Sequence, residues 1–116
     1  MGQAHDFDVL YLDDEEAAVV EVVGEIDLSV AHHLVEALGR AADRQRLAID
    51  LAHTTFIDSA GMQALVIVWR ARDSAGLDTV LRNPSPVVSR ILRLTGLGPV
   101  LAVEHTTPAD EPDRAR

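Results

Sequence analysis

The sequence contains no cysteine, which excludes disulfide frameworks, thiol catalysis and cysteine-ligated metal sites. Aromatic side chains are also scarce, at 3% of the 116 residues. The chain carries 10 basic and 19 acidic side chains, for a formal net charge of −9. Nucleic-acid-binding domains usually combine a basic face with stacking aromatic rings, and this chain has neither. We therefore expect no nucleic-acid partner.

Long apolar runs are missing as well. No run approaches the roughly 18 residues needed to span a bilayer, and the N-terminal residues lack a basic segment followed by an apolar one. An acidic surface also repels anionic membranes. These features predict a cytoplasmic protein with no membrane partner. A length of 116 residues fits one domain.

The usual signatures of catalysis and nucleotide binding do not occur. There is no glycine-rich phosphate-binding run of either common type, and no serine stands in a Gly-x-Ser-x-Gly elbow. The adjacent His32 and His33 would point about 100° apart on a helix, unlike the i, i+4 pairs that bind zinc. We therefore predict that the chain is not an enzyme and holds no metal or cofactor.

Apolar periodicity predicts an α/β fold, with a mixed sheet of four to five strands covered by about three helices. Residues 53–57 are predicted as a loop, and the apolar-poor residues 105–116 as a disordered tail after a domain spanning residues 1–104. Strand patterns cover residues 7–12, 17–23, 46–51, 79–81 and 100–103, and helical patterns cover residues 30–44, 59–73 and 86–95.

Several single residues have structural interpretations. Asp27 or Ser29 is predicted to cap the first helix, and Asp50 to hydrogen-bond the backbone of the following loop. Thr54 and Thr55 are interpreted as loop hydroxyls, Trp69 as core, and Arg70 and Arg72 as solvated positions.

The most informative stretch is I-D-S-A-G-M-Q-A at residues 57–64, which ends an apolar segment and begins a helix. Ser59 therefore lies at a helix N-terminus, where free N–H groups and the helix dipole favour negative charge. The missing elbow argues against a nucleophile. Two interpretations stay open: an ordinary N-cap, worth about 1 kcal/mol, and a phosphoacceptor. A phosphoryl group would add about −1.5 to −2 charge beside Asp58, and near Asp27 if both strand-to-helix turns lie at one sheet edge.

Four blocks in order resemble the STAS domain of bacterial anti-sigma factor antagonists: G-E-I-D at 24–27, L-A-I-D-L at 47–51, F-I-D-S-A-G-M at 56–62 and L-T-G-L at 94–97. The resemblance runs from about Phe7 to Val103. It implies partner switching, in which the unphosphorylated antagonist binds an anti-sigma factor that is itself a serine kinase and so frees a sigma factor for transcription under stress. Phosphorylation releases the antagonist, and a metal-dependent Ser/Thr phosphatase resets it. ATP would belong to the kinase.

Position by position, the resemblance implies that Ser59 is the phosphoacceptor and that Asp27, Asp58, Gly61 and Met62 bind the partner. It also implies where this chain departs from its relatives. Many relatives carry a second hydroxyl residue where this chain has alanine, and many end in an amphipathic helix that residues 104–116 cannot form.

A sheet region left less covered by that missing helix would be available for a partner or a weak homodimer.

A second hypothesis keeps the fold but has no phosphorylation switch. The domain would then be an accessory or scaffold subunit of a lipid-transport or sensory complex, with Ser59 as an N-cap only.

Overall fold

The computed structural model describes residues 7–14 and 17–106. Within these residues six strands and four helices form one mixed α/β unit, which confirms the predicted fold class. In chain order they are β1 Asp8–Asp13, β2 Ala18–Ile26, α1 Ala31–Gly39, β3 Arg46–Asp50, β4 Thr54–Ile57, α2 Ser59–Ser74, β5 Asp78–Arg82, α3 Pro86–Thr95, α4 Gly98–Leu101 and β6 Val103–Glu104.

The sheet has the order β1-β2-β3-β5-β6, with β4 paired to β2 outside that path. The β1–β2 hairpin is antiparallel, and the other pairs are parallel. Strand β2 changes partner along its length: its first residues pair with β3 and its last three with β4. Gly24 lies at this change with φ +96°, a left-handed conformation that glycine adopts without steric cost.

The prediction of a loop at residues 53–57 is wrong, because most of it forms β4. Four residues are too few for an alternating pattern to emerge, although Thr-Thr-Phe-Ile is rich in β-branched and aromatic side chains. Thr54 is a buried strand residue that donates its hydroxyl to the carbonyl of Val22 at 2.9 Å. The predicted last strand at residues 100–103 also shifts, since its first two residues belong to α4 and β6 begins only at Val103.

Helix α1 begins later and ends earlier than predicted. Its N-cap is Val30, with no side-chain cap hydrogen bond, so the predicted capping by Asp27 or Ser29 is wrong. Asp27 instead closes the preceding turn, accepting from the N–H and the hydroxyl of Ser29 at 3.0 and 2.6 Å. After Gly39 the chain continues in turns with i→i−3 hydrogen bonds, which cannot be distinguished from a helix by apolar spacing.

Three helices cover one face of the sheet. The core between them joins β2, β3 and β5 to the apolar faces of α1, α2 and α3, and Trp69 packs against it as predicted. Fully buried members include Val20, Val22, Ile26, Leu34, Leu38, Leu47, Leu65 and Val88. Because strand side chains alternate between faces, Val19, Ala48 and Val80 form a second, smaller cluster.

Arg72 contradicts the prediction of a solvated position, whereas Arg70 is exposed as expected. Arg72 is only 3% exposed. Its guanidinium donates to Oγ1 of Thr79 and to the carbonyls of Ala42, Arg44 and Asp78 at 2.6 to 2.9 Å. Burial lowers the pKa of Arg72, and the Asp78 carboxylate opposes that effect. The guanidinium stays protonated at physiological pH.

The chain beyond β6 is fixed as far as Thr106. The Thr106 N–H donates to Oδ1 of Asn83 at 2.8 Å, and the Asn83 amide donates to Oγ1 of Thr106 at 2.7 Å. The predicted disordered tail starts at residue 105, and its residues 107–116 lie outside the described residues.

Asp50, the last residue of β3, accepts from the N–H of Ala52 at 2.9 Å, which confirms its predicted bond to the loop backbone.

Candidate functional site

Two strand-to-helix turns meet at one edge of the sheet. Strands β2 and β4 are parallel, with Ile26 paired to Ile57, so both strands end at the same level. Asp27 and Asp58 follow these ends directly. The N–H of Asp58 donates to the carbonyl of Ile26 at 3.1 Å. The condition that placed Asp27 near the Ser59 turn is therefore met.

Asp58 is the N-cap of α2. Its backbone is extended, and its Oδ1 accepts from the N–H of Gly61 at 2.9 Å, as a capping carboxylate does. Its carbonyl accepts from the N–H of Met62 at 3.0 Å. The second carboxylate oxygen, Oδ2, accepts from the N–H of Leu28 at 3.1 Å. One side chain thus caps the helix and ties the two turns together.

Ser59 is the first residue of α2 and is exposed. The interpretation of Ser59 as the N-cap is wrong, because Asp58 occupies that position. Two adjacent residues that both make good caps leave the sequence ambiguous by one position. The Ser59 hydroxyl makes no hydrogen bond to any residue that the structure describes. It projects at the positive end of a 16-residue helix.

The first turn of α2 leaves backbone donors open beside Ser59. The N–H groups of Ser59 and Ala60 precede the first intrahelical hydrogen bond, so the helix itself leaves them open. An anion on the Ser59 hydroxyl would lie close to these donors. It would also lie next to the Asp58 carboxylate. The helix N-terminus would stabilise the anion, and the neighbouring carboxylate would repel it.

Gly61 and Met62 lie beneath the surface that Ser59 presents. A Cβ on Gly61 would come within 2.6 Å of the Ile26 carbonyl oxygen and 2.8 Å of the Ile57 side chain. Met62 is 5% exposed and belongs to the main core. Their predicted partner binding stays a prediction. From these positions they would act by setting where the helix N-terminus lies, while Asp27 and Asp58 are half-buried at the surface.

Two apolar side chains beside the site were missed by the sequence analysis. Leu28, on the turn after Asp27, is 75% exposed, and Phe56, near the end of β4, is 45% exposed. Leu28 interrupts a polar turn between Asp27 and Ser29. An apolar residue in such a turn is the signal that would have identified Leu28.

No group of three or more histidine, aspartate or glutamate side chains suited to a metal ion occurs among the residues that the structure describes. None of the helices in that part of the chain is long and apolar enough to cross a membrane.

Comparison with known proteins gives a consistent result. The family model for the STAS domain matches residues 11–109. The anti-sigma F factor antagonist of Lysinibacillus sphaericus is 31% identical over 91 residues, which are 72% of this chain and 74% of that protein.

Solved structures agree with this match. An anti-sigma factor antagonist from Mycobacterium paratuberculosis is 28% identical with a TM-score of 0.78, over 90% of each chain. The Bacillus cell fate determinant SpoIIAA in its phosphorylated form superimposes with a TM-score of 0.68, over 90% of this chain and 94% of that one. At 21% identity the latter shows the fold alone. The resemblance found in the sequence is confirmed: this chain belongs to the STAS domain family.

Proposed function

We propose that this chain is an anti-sigma factor antagonist that binds a serine-kinase anti-sigma factor and is released when that kinase phosphorylates Ser59. The observation that carries the proposal is the exposed Ser59 hydroxyl, which is free of structural hydrogen bonds to the described residues because Asp58 caps the helix. Phosphorylation of the hydroxyl therefore removes no described contact from the fold. The similarity to the anti-sigma F factor antagonist supports the class of partner.

Electrostatics explains how the phosphate would release the partner. The phosphoryl group brings about −1.5 to −2 charge to a site that already holds Asp58 and, on the adjoining turn, Asp27. Two like charges about 4 Å apart repel by about 1 kcal/mol in water and about 4 kcal/mol at the effective dielectric near a protein surface. A partner surface that accepts a neutral hydroxyl beside these acids would lose affinity about tenfold for each 1.4 kcal/mol.

The helix end allows the charge to stay without unfolding the domain. The open N–H groups of Ser59 and Ala60 and the α2 dipole stabilise an anion locally. In this proposal the kinase supplies ATP, a Ser/Thr phosphatase removes the phosphate, and the chain is substrate and switch. Its unphosphorylated form would free a sigma factor by occupying the kinase.

Phosphorylation by the anti-sigma kinases of the source cell tests the proposal. Each purified kinase is incubated with the chain and radiolabelled ATP, and the product is mapped by mass spectrometry. We expect one phosphate, at Ser59, and none in Ser59→Ala. Ser29→Ala is the matched control, since Ser29 is also exposed on a turn at this edge but donates its hydroxyl to Asp27 at 2.6 Å. It should be phosphorylated like the wild type.

A wild-type chain left unmodified by every such kinase would contradict the proposal and favour the accessory-subunit hypothesis. A phosphate that persists in Ser59→Ala would contradict Ser59 as the phosphorylated residue. Ser59→Glu should also bind the kinase more weakly than the wild type, because it places a negative charge where the phosphate would be.

A further inference from the structure

Leu28 has the largest exposed fraction among the large apolar side chains that the structure describes. It is 75% exposed and lies on the turn that adjoins the Ser59 turn. Burying an exposed leucine side chain in a partner is strongly favourable, and a single well-placed apolar side chain can dominate an interface. Because Leu28 is exposed in the free domain, burying its side chain in a partner would add to the free energy of binding and not to that of folding.

Asp58 fixes the position of Leu28. The same carboxylate accepts from the N–H of Gly61 at 2.9 Å and from the N–H of Leu28 at 3.1 Å. Asp27 restrains the other end of the turn by accepting from the N–H of Ser29. The backbone that carries Leu28 is therefore held before any partner arrives, which reduces the entropy lost on binding.

We propose that Leu28 is the apolar anchor of the kinase-binding surface and that Asp58 is its positioning residue, an inference that rests on the proposed function. The chemistry around Leu28 specifies the occupant. Carboxylates flank the leucine on both sides, at Asp27 and Asp58, and the whole chain has a net charge of −9. The matching surface on the anti-sigma kinase is an apolar pocket whose edge carries neutral hydrogen-bond donors, which pair with the two carboxylates without attracting further negative charge.

This arrangement connects the anchor to the phosphorylation site. Ser59 follows Asp58 directly in the chain, so a phosphate there adds charge beside the carboxylate that holds the Leu28 turn. The neutral edge of the partner's pocket would offer this phosphate no balancing charge, so phosphorylation opposes the burial of Leu28. Phosphate and anchor thus act on one small surface, and Asp58 is common to both.

The first experiment measures affinity for the kinase that phosphorylates Ser59 in the assay above. Leu28→Ser should bind at least about tenfold more weakly than the wild type. Leu94→Ser is the matched control, because Leu94 is 71% exposed on α3 and should change affinity less than twofold. Because both leucines face solvent, neither substitution should move the midpoint of urea denaturation.

The second experiment isolates the positioning role. Amide hydrogen exchange at Leu28 should accelerate in Asp58→Ala, whose carboxylate accepts from the Leu28 N–H, and stay unchanged in Ser59→Ala, which removes a hydroxyl with no hydrogen bond to the described residues. The affinity loss caused by Leu28→Ser should also be smaller in an Asp58→Ala background, because the anchor is already misplaced there.

The outcomes separate the two proposals. Normal phosphorylation of Ser59 with equal affinity of wild type and Leu28→Ser would overturn the anchor and leave the switch intact. Unchanged Leu28 exchange in Asp58→Ala would overturn the positioning role. A wild-type chain that neither binds nor is phosphorylated by any of the anti-sigma kinases would overturn both the anchor and the function on which it rests.

Discussion

Arg72 at the end of α2 and Thr79 in β5 are joined by a 2.6 Å hydrogen bond from Nε to Oγ1, and both residues are almost fully buried. The remaining donors of the guanidinium reach backbone carbonyls on the turns after α1 and at the start of β5. One planar group thus connects three segments through its fixed fork of donors.

Removing the guanidinium should cost much of the stability of the domain. Arg72→Met keeps most of the apolar stem but leaves several buried carbonyls without donors. We expect the free energy of unfolding to fall by about 3 kcal/mol, measured by urea denaturation. Arg70→Met, two residues earlier and exposed, is the control and should change it by less than about 0.5 kcal/mol. Equal effects of the two would contradict the role of the buried fork.

Gly61 should resist even the smallest substitution. In Gly61→Ala the new Cβ would be 2.6 Å from a backbone oxygen of β2, and backbone cannot move aside as a flexible side chain can. We expect a loss of about 1–3 kcal/mol in the free energy of unfolding. Gly39→Ala in α1, where nothing lies within 4 Å, should instead be neutral or stabilising by about 0.5–1 kcal/mol. Thermal and urea denaturation would show a difference in sign between the two.

The assignment of the helix cap can be tested by stability alone. Asp58→Ala removes the cap of α2 and should lower the free energy of unfolding by about 1–2 kcal/mol. Ser59→Ala removes a hydroxyl with no described partner and should change it by less than about 0.5 kcal/mol. If Ser59→Ala were the more destabilising, the hydroxyl would have a structural role and the case for a free phosphoacceptor would weaken.

Salt should distinguish the phosphate from the anchor. If phosphorylation releases the kinase by surface charge, the affinity gap between phosphorylated and unphosphorylated chain should narrow as ionic strength rises, because the Debye length falls from about 10 Å at 0.1 M to about 3 Å at 1 M. The affinity loss of Leu28→Ser, which is apolar in origin, should not narrow. Calorimetric titration of the kinase at low and high salt would measure both, and a salt-independent phosphate effect would contradict release by charge.

The sequence predicted the features that repeat along the chain. Helix α2 begins at Ser59 as predicted, and α3 spans the predicted residues 86–95, with Ser85 as its N-cap and a left-handed Gly96, φ +72°, after its end. In each case a local signal, an apolar period or a cap residue, determines the local structure. The sequence left open whether the Asp27 and Asp58 turns share an edge, and the parallel pairing of β2 with β4 brings them together.

The features that the sequence did not predict depend on segments distant in the chain. Strand β4 exists because the end of β2 is free of β3 and offers it a partner. Arg72 is buried because carbonyls from separate turns converge on it. Asp58 rather than Ser59 became the cap because the backbone enters the helix one residue earlier, and a cap pattern does not resolve a single position. The exposure of Leu28 likewise depends on how the two turns meet.

The contact between Gly61 and the end of β2 also bears on the kinetics of recognition. The α2 backbone at Gly61 lies so close to the Ile26 carbonyl oxygen that a Cβ would come within 2.6 Å of it, so the helix N-terminus packs directly on the end of β2. Under the proposed function, a partner would meet a surface whose backbone is already fixed, and such pre-formed interfaces move little on association. Variants that leave the charge of this edge unchanged, such as Leu28→Ser, should accordingly keep the association rate of the wild type and differ in how long the complex lasts.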